Sequence, residues 1–271
     1  MSRLLHSEIQ SMLELALKAT ELAKTEVLKH YGKKINIDWK PDLTPVTIAD
    51  KNTEQAVRDF FAKETPDFGF IGEEFGRTNT SAEYQWILDP IDGTKSFVRG
   101  VPLFGSILAL YHRDQPVLGV IGLPALGSVL HASLGGGAWV DGNAAHVSSV
   151  TQMKDATVLS GTVNTMEARG YGEGFAKLRQ SAQLYRGWGD CYGYYLVACG
   201  RAEIMVDPVV SVWDIAAMPI IFSEAGGSFS EISGNTRFLD SEGKVLAGSD
   251  GFTSVASNKH LHVYALATLK P

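Results

Sequence analysis

The run Asp89-Pro90-Ile91-Asp92-Gly93-Thr94 puts two carboxylates, a proline, a glycine and a hydroxyl directly after the apolar stretch Trp86-Ile87-Leu88. Two further acidic features stand in similar surroundings: Glu73-Glu74 follows an apolar run and Gly72, and Asp214 follows Trp213 at the head of an apolar segment. Taken singly, each has a structural reading, as a solvated turn or as a helix N-cap. Gathered at one place, carboxylates repel one another unless they are protonated or neutralised by a cation. An oxygen-only ligand set selects hard ions such as Mg²⁺, and a phosphate ester is the usual co-ligand. Gly93 and Thr94 would present backbone N–H groups to a phosphoryl oxygen, with no Cβ at Gly93 in the way, and a hydroxyl next door could hold the attacking water. The chemistry that follows is metal-assisted hydrolysis of a phosphate monoester, by in-line attack of water without a phosphoenzyme.

The elements that must position these residues are readable from periodicity. Ile9, Met12, Leu13, Ala16, Leu17, Ala19, Ala23 and Val27 recur at helical spacing, with Ser7 and Gln10 as a capping box and Gly32 as the stop. A second helix opens near Thr47 and runs to the break at Pro66, after a loop, KPDLTPVT, whose two prolines suit a lid. From Phe70 the pattern changes to short apolar runs separated by turns such as HRDQP and DGNAA, which predicts a mostly antiparallel sheet. After about residue 150, strand runs (ATVLSG, AEIMVDP, GGSFSEI, SVASN) alternate with helical candidates (GEGFAKLRQ, DCYGYYLVACG, WDIAAMPIIFSEAG, LHVYALATL), an α/β pattern. The expected class is therefore α+β, mixed α/β. Residues 1–148 form a helix-plus-sheet half with most of the acids, residues 149–271 an α/β half with Asp214, and the two pack as one unit.

Composition narrows the partners. The 271-residue chain is 45% hydrophobic and 20% charged with a net charge of -6, so it suits a globular protein with no broad attraction to nucleic acid. Cys191 and Cys199 fall in one helical stretch about 12 Å apart along its axis, which excludes a disulfide and suits a reducing compartment. No signal peptide or membrane-spanning run is evident, and a cytoplasmic location is expected. His260-x-His262 and the scattered His6, His30, His112, His131 and His146 lack zinc spacing, and Gly135-Gly136-Gly137 lacks the context of a dinucleotide loop.

GEE at 72–74, DPIDGT at 89–94 and WDIAA at 213–217, in this order, resemble the three signatures of the inositol monophosphatase family, Mg²⁺-dependent and lithium-sensitive phosphatases. TPVTIAD, with Lys40 before it, is similar to the family's N-terminal pattern. The resemblance implies a layered α-β-α-β-α sandwich, usually a homodimer. It also implies that Glu73, Asp89 and the Ile91 carbonyl hold one Mg²⁺, that Asp89, Asp92 and Asp214 hold a second, and that Glu73 helps hold a weak third, with Glu74 behind it. Thr94, hydrogen-bonded to Asp50, would orient and activate the water, and the Gly93 and Thr94 N–H groups would hold phosphate. From spacing alone, Thr47-x-x-Asp50 reads first as a capping box; the resemblance favours the catalytic role instead.

RxWGDxxGY, DPIDGTKSFVRGVPLFG and VDPxxSxWDIAA resemble the histidinol-phosphate phosphatase branch of that family, in which the positions matching Arg186, Asp190 and Asp207 line the substrate pocket. Acids there suit a substrate bearing an ammonium and an imidazole better than a neutral polyol. A cap at Asp190, a strand end at Asp207 and a core position for Trp188 are the bland readings. Lys95 and Arg99 read either as steering charges or as a solvated loop. The expected reaction is hydrolysis of L-histidinol phosphate in histidine biosynthesis. Inositol 1-phosphate or another sugar or nucleotide phosphate is the enzymatic alternative, and an RNA- or protein-binding regulator on the same scaffold is the non-enzymatic one.

Overall fold

The computed structural model describes residues 6–33, 37–39, 45–246 and 251–270. Helix His6–Leu28 buries Ile9, Leu13, Ala16, Ala19, Ala23 and Val27, the stripe that its periodicity predicts. The expected cap at Ser7 is corrected: the helix already includes His6, and the Ser7 carbonyl accepts the Ser11 hydroxyl at 3.2 Å inside the first turn. Pro45–Thr47, expected in a loop, pairs antiparallel with Ile37–Trp39. Lys40 and the rest of that loop, and with them the suggested lid, lie outside the described residues. Helix Ile48–Glu64 starts on a capping box between Thr47 and Asp50 and ends ahead of Pro66.

The larger sheet has eight strands in the order Asn143–Ala144, Gly137–Val140, Ser128–Ser133, Gln115–Leu123, Gly105–His112, Tyr84–Asp92, Gly69–Gly72, Gly76–Thr78. All its neighbours are antiparallel except Gly69–Gly72 beside Tyr84–Asp92. The second sheet runs Leu184–Arg186, Thr157–Ser160, Ile204–Val210, Phe252–Asn258, Gly227–Ser230, its first three strands mutually parallel and its last two pairings antiparallel.

Side chains on a strand alternate between faces, and both faces of each sheet are covered. On the first sheet Trp86, Leu88, Leu108 and Leu110 pack against Leu13, Ala16, Val57 and Phe61 of the two N-terminal helices. On the other face Ile87, Ile107 and Ile121 join Tyr194, Ile215 and Ile221 from helices Asp190–Ala198, Val212–Ile215 and Met218–Glu224, and Leu159, Met205 and Ala256 of the second sheet. The far face of the second sheet, with Val158, Ile204 and Val206, packs on Phe175, Leu178, Ala265 and Leu269 of helices Gly172–Ser181 and His262–Leu269. The layers are therefore helix, sheet, helix, sheet, helix, a mixed α/β sandwich.

Two details refine the sequence reading. WDIAAMPIIFSEAG forms two helices rather than one, because Pro219 has no N–H to donate and its ring crowds the carbonyl four residues earlier. The triple glycine is a sheet turn, and the Glu224 carboxylate on the middle layer accepts the Gly135 and Gly137 N–H groups at 2.9 Å each.

Candidate active site

The acidic motifs meet where the first sheet faces the middle helix layer. In a regular strand Asp89 and Asp92, three apart, would point to opposite faces. The pairing with Gly105–His112 shifts register between them, a bulge at Pro90-Ile91 that re-aims the second acid. Asp89 Oδ1 accepts the Ile91 N–H at 2.9 Å and the Ser106 hydroxyl donates to the Pro90 carbonyl at 2.6 Å, which fixes the bulge. Ligand oxygens of Asp89, Asp92 and Asp214 then lie within 4.8 Å of one another.

Asp214 arrives from the second half on helix Val212–Ile215, where it completes a capping box with Ser211 and accepts the Ser211 N–H at 2.7 Å. Asp50 completes the matching box on the first half. Its Oδ2 accepts both the Thr47 N–H at 2.8 Å and the Thr47 hydroxyl at 2.6 Å, and its Oδ1 lies 3.5 Å from the Thr94 hydroxyl. The shorter bond of that hydroxyl goes to the Ile91 carbonyl at 2.9 Å, so its contact with Asp50 is weak. Gly93 holds the left-handed conformation, φ 83°, from which the short helix Thr94–Val98 starts.

The electrostatics call for a cation. Burial lifts Asp89 and Asp92 well above the usual carboxylate range; Glu73 and Asp92 push Asp89 further, and Asp190 and Asp214 push Asp92 further. Asp214 is pushed up to about 7, by burial first and against its bond from the Ser211 N–H. Asp50 is raised to about 6, again by burial, against the bonds from Thr47. Carboxylates forced together in this way hold protons until a cation replaces them. Three oxygen donors within 4.8 Å, with Glu73 close enough to act on two of them, fit a hard divalent ion.

Beside this cluster lies a cavity of about 290 Å³ lined by Asp92, Lys95, Asp190, Asp207 and Asp214, with Tyr194 and the Gly161–Thr162 turn. Asp190 is a non-glycine residue at φ 54°, strained backbone that brings its Oδ2 to 3.1 Å from where a Cβ on Gly93 would stand. Asp207 accepts the Gly161 N–H at 3.4 Å and the Tyr194 hydroxyl at 3.5 Å, and burial raises it well above the usual range. Lys95 lines the cavity, where its charge pulls Asp190 down against burial.

The structure does not bring every expected residue together. Arg186 does not line the cavity: it is exposed, donates to the Tyr185 carbonyl at 2.8 Å and lies 6.0 Å over the Trp188 ring. Trp188 itself is 39% exposed, which removes it from the core. Arg99 donates to the Lys95 carbonyl at 3.2 Å and is exposed. Three contributors escaped the sequence reading. The Cys191 N–H donates to Asp92 Oδ2, Tyr194 forms part of the cavity wall, and Glu54 accepts the Glu74 and Phe75 N–H groups at 2.7 and 3.0 Å. Two signals were available: Tyr194 closes the RxWGDxxGY motif, and the helical spacing of Asp50 and Glu54 places both on one face of their helix.

Residues 8–269 match the inositol monophosphatase family, and the chain belongs to it. Within the family it is 41% identical over 238 residues to the histidinol-phosphatase of Chlorobaculum parvum, covering 88% of this chain and 92% of that one. It is 39% identical over 269 residues to the histidinol-phosphatase of Mycobacterium tuberculosis, covering 97% and 98%. The structure of an inositol monophosphatase from Zymomonas mobilis superposes with a TM-score of 0.80 at 29% identity, over 96% of this chain and 98% of that one.

Proposed function

We propose that this protein is a Mg²⁺-dependent phosphomonoesterase that hydrolyses L-histidinol phosphate to L-histidinol and phosphate, a step of histidine biosynthesis. The observation that carries the reading is that the cluster of Asp89, Asp92 and Asp214 adjoins a cavity lined by Asp92 and Asp214 together with Asp190 and Asp207. The family and the curated relatives at about 40% identity support the same activity.

Glu73, Asp89 and the Ile91 carbonyl would hold one Mg²⁺, Asp89, Asp92 and Asp214 a second, and Glu73 part of a weaker third. When bound, the ions supply Lewis-acid stabilisation of phosphoryl charge and acidify water. The chain supplies the proton path and the orientation. The Thr94 hydroxyl would orient the attacking water and, once rotated from the Ile91 carbonyl toward Asp50 Oδ1 3.5 Å away, pass a proton to that carboxyl, which, raised to about 6, is suited to a base near neutral pH. Gly93 and Thr94 direct backbone N–H groups at a phosphoryl oxygen. Asp190 and Asp207 accept hydrogen bonds from the ammonium and imidazole of the leaving alcohol. Residues 1–148 and 149–271 act as two halves of one unit that forms a homodimer in the cytoplasm. Among the described residues no helix is long and apolar enough to cross a membrane.

A phosphate-release panel tests the reading. With Mg²⁺ present, histidinol phosphate should turn over faster than inositol 1-phosphate, fructose 1,6-bisphosphate or 3′-phosphoadenosine 5′-phosphate. Preference for any of the other three would replace the substrate assignment, and release from none of the four would overturn it.

A further inference from the structure

The turn that carries Glu73, a proposed metal ligand, is held from behind by a buried ion pair that bonds its Glu74 and Phe75 N–H groups. The turn Glu73–Phe75 joins strands Gly69–Gly72 and Gly76–Thr78. Helix Ile48–Glu64 passes beneath it and presents Glu54 and Arg58, one helical turn apart. Glu54 is fully buried and Arg58 is 11% exposed, with 2.7 Å between Nε and Oε1. Glu54 Oε2 accepts the Glu74 N–H at 2.7 Å, Oε1 accepts the Phe75 N–H at 3.0 Å, and Arg58 Nη2 donates to the Gly76 carbonyl. Phe70 supports the guanidinium from one side at 4.5 Å. Gly72 completes the arrangement, because a Cβ there would stand 2.1 Å from Glu54 Oε1.

Stability alone gives little reason for this pair. A buried ion pair is matched or bettered by apolar side chains of the same size, because desolvation offsets the Coulombic gain. What apolar residues could not do is fix three consecutive backbone groups, two donors and one acceptor, in one orientation. We propose that Glu54 and Arg58 are positioning residues for Glu73: they hold its turn in the one conformation that aims its carboxylate at the metal cluster, and so set metal affinity. The proposal rests on the phosphatase reading.

The test is a calorimetric Mn²⁺ titration of the intact protein, with no substrate present, for wild type, Glu54→Gln and Arg58→Gln. Glu54→Gln keeps the shape but turns an NH₂ group toward a backbone N–H. Its Mn²⁺ dissociation constant should rise at least tenfold while the protein still melts cooperatively. In assays, excess Mg²⁺ should restore kcat, and KM for histidinol phosphate at saturating Mg²⁺ should not move, a pattern that mere loss of structure would not give. Arg58→Gln, which cannot reach Gly76, is read in the same way should Glu54→Gln fail to fold. A folded variant that binds Mn²⁺ as wild type does overturns the positioning role alone. Wild type that binds no divalent ion overturns it together with the phosphatase reading.

Discussion

Asp50 and Asp214 each complete a capping box, with Thr47 in one case and Ser211 in the other. One carboxylate oxygen takes the backbone N–H of the cap, which leaves the other oxygen uncommitted to it. The cap reading and the chemical reading of these acids are therefore compatible, although spacing alone sets them against each other. Asp50→Asn keeps an acceptor for Thr47, so Tm should hardly move while kcat falls by ~10²–10⁴ for loss of a general base; parallel losses of stability and rate would reduce Asp50 to a cap. Asp92 is different, because it is half-buried among like charges. Asp92→Asn keeps an acceptor for the Cys191 N–H but removes that repulsion, so without metal it should melt above wild type. It should also miss the stabilisation that Mg²⁺ gives wild type, about 2.7 kcal/mol at a hundredfold excess over Kd; paired melts with and without chelator decide. The acids were legible from residue type and spacing. Glu54 was not, since beside Lys51, Arg58 and Asp59 it reads as solvated helix until the fold lays Gly72 over it.

Two backbone devices position the acids, and neither is a matter of composition. The bulge at Pro90-Ile91 turns Asp89 and Asp92 toward one site, and a proline beside an aspartate only hints at it. The other device joins the turn at Gly161 to the turn ahead of helix Asp190–Ala198, where a Cβ on Gly189 would stand 2.4 Å from the Gly161 Cα. That approach of two main chains lets Asp190 and Asp207 share one cavity. Gly189→Ala should push the turns apart and raise KM for histidinol phosphate more than it lowers kcat; steady-state kinetics at saturating Mg²⁺ checks the split. The long strands and the periodic helices were readable because each has enough residues to show its period. Helices Thr94–Val98 and Val163–Ala168 and strand Leu184–Arg186 are too short for that, and tertiary contacts define them.

Across the whole molecule, both faces of both sheets are buried, which is why strands such as Gly105–His112 carry a continuous apolar run, Ile107 to Tyr111, and reveal a layered fold. His262 ties the outermost helix layer to the second sheet, with Ser257 Oγ 2.8 Å from Nδ1 and Ser230 Oγ 3.0 Å from Nε2. Burial lowers its pKa below 6.5, so the unfolded chain takes up a proton at a higher pH than the folded one. Stability from this group is therefore complete above pH ~6.5 and falls as the pH drops toward the folded value. Melts at pH 8 and pH 5.5 should show a larger loss for wild type than for His262→Gln; equal losses would place the acid sensitivity elsewhere.

The assignment of one acidic site to both the metal and a cationic alcohol is decided by steady-state kinetics of Asp207→Asn on two substrates. A charge-assisted hydrogen bond contributes ~1.5–3 kcal/mol, so KM for histidinol phosphate should rise at least about tenfold while that for inositol 1-phosphate stays put. Equal changes on both substrates would remove Asp207 from recognition of the cationic alcohol.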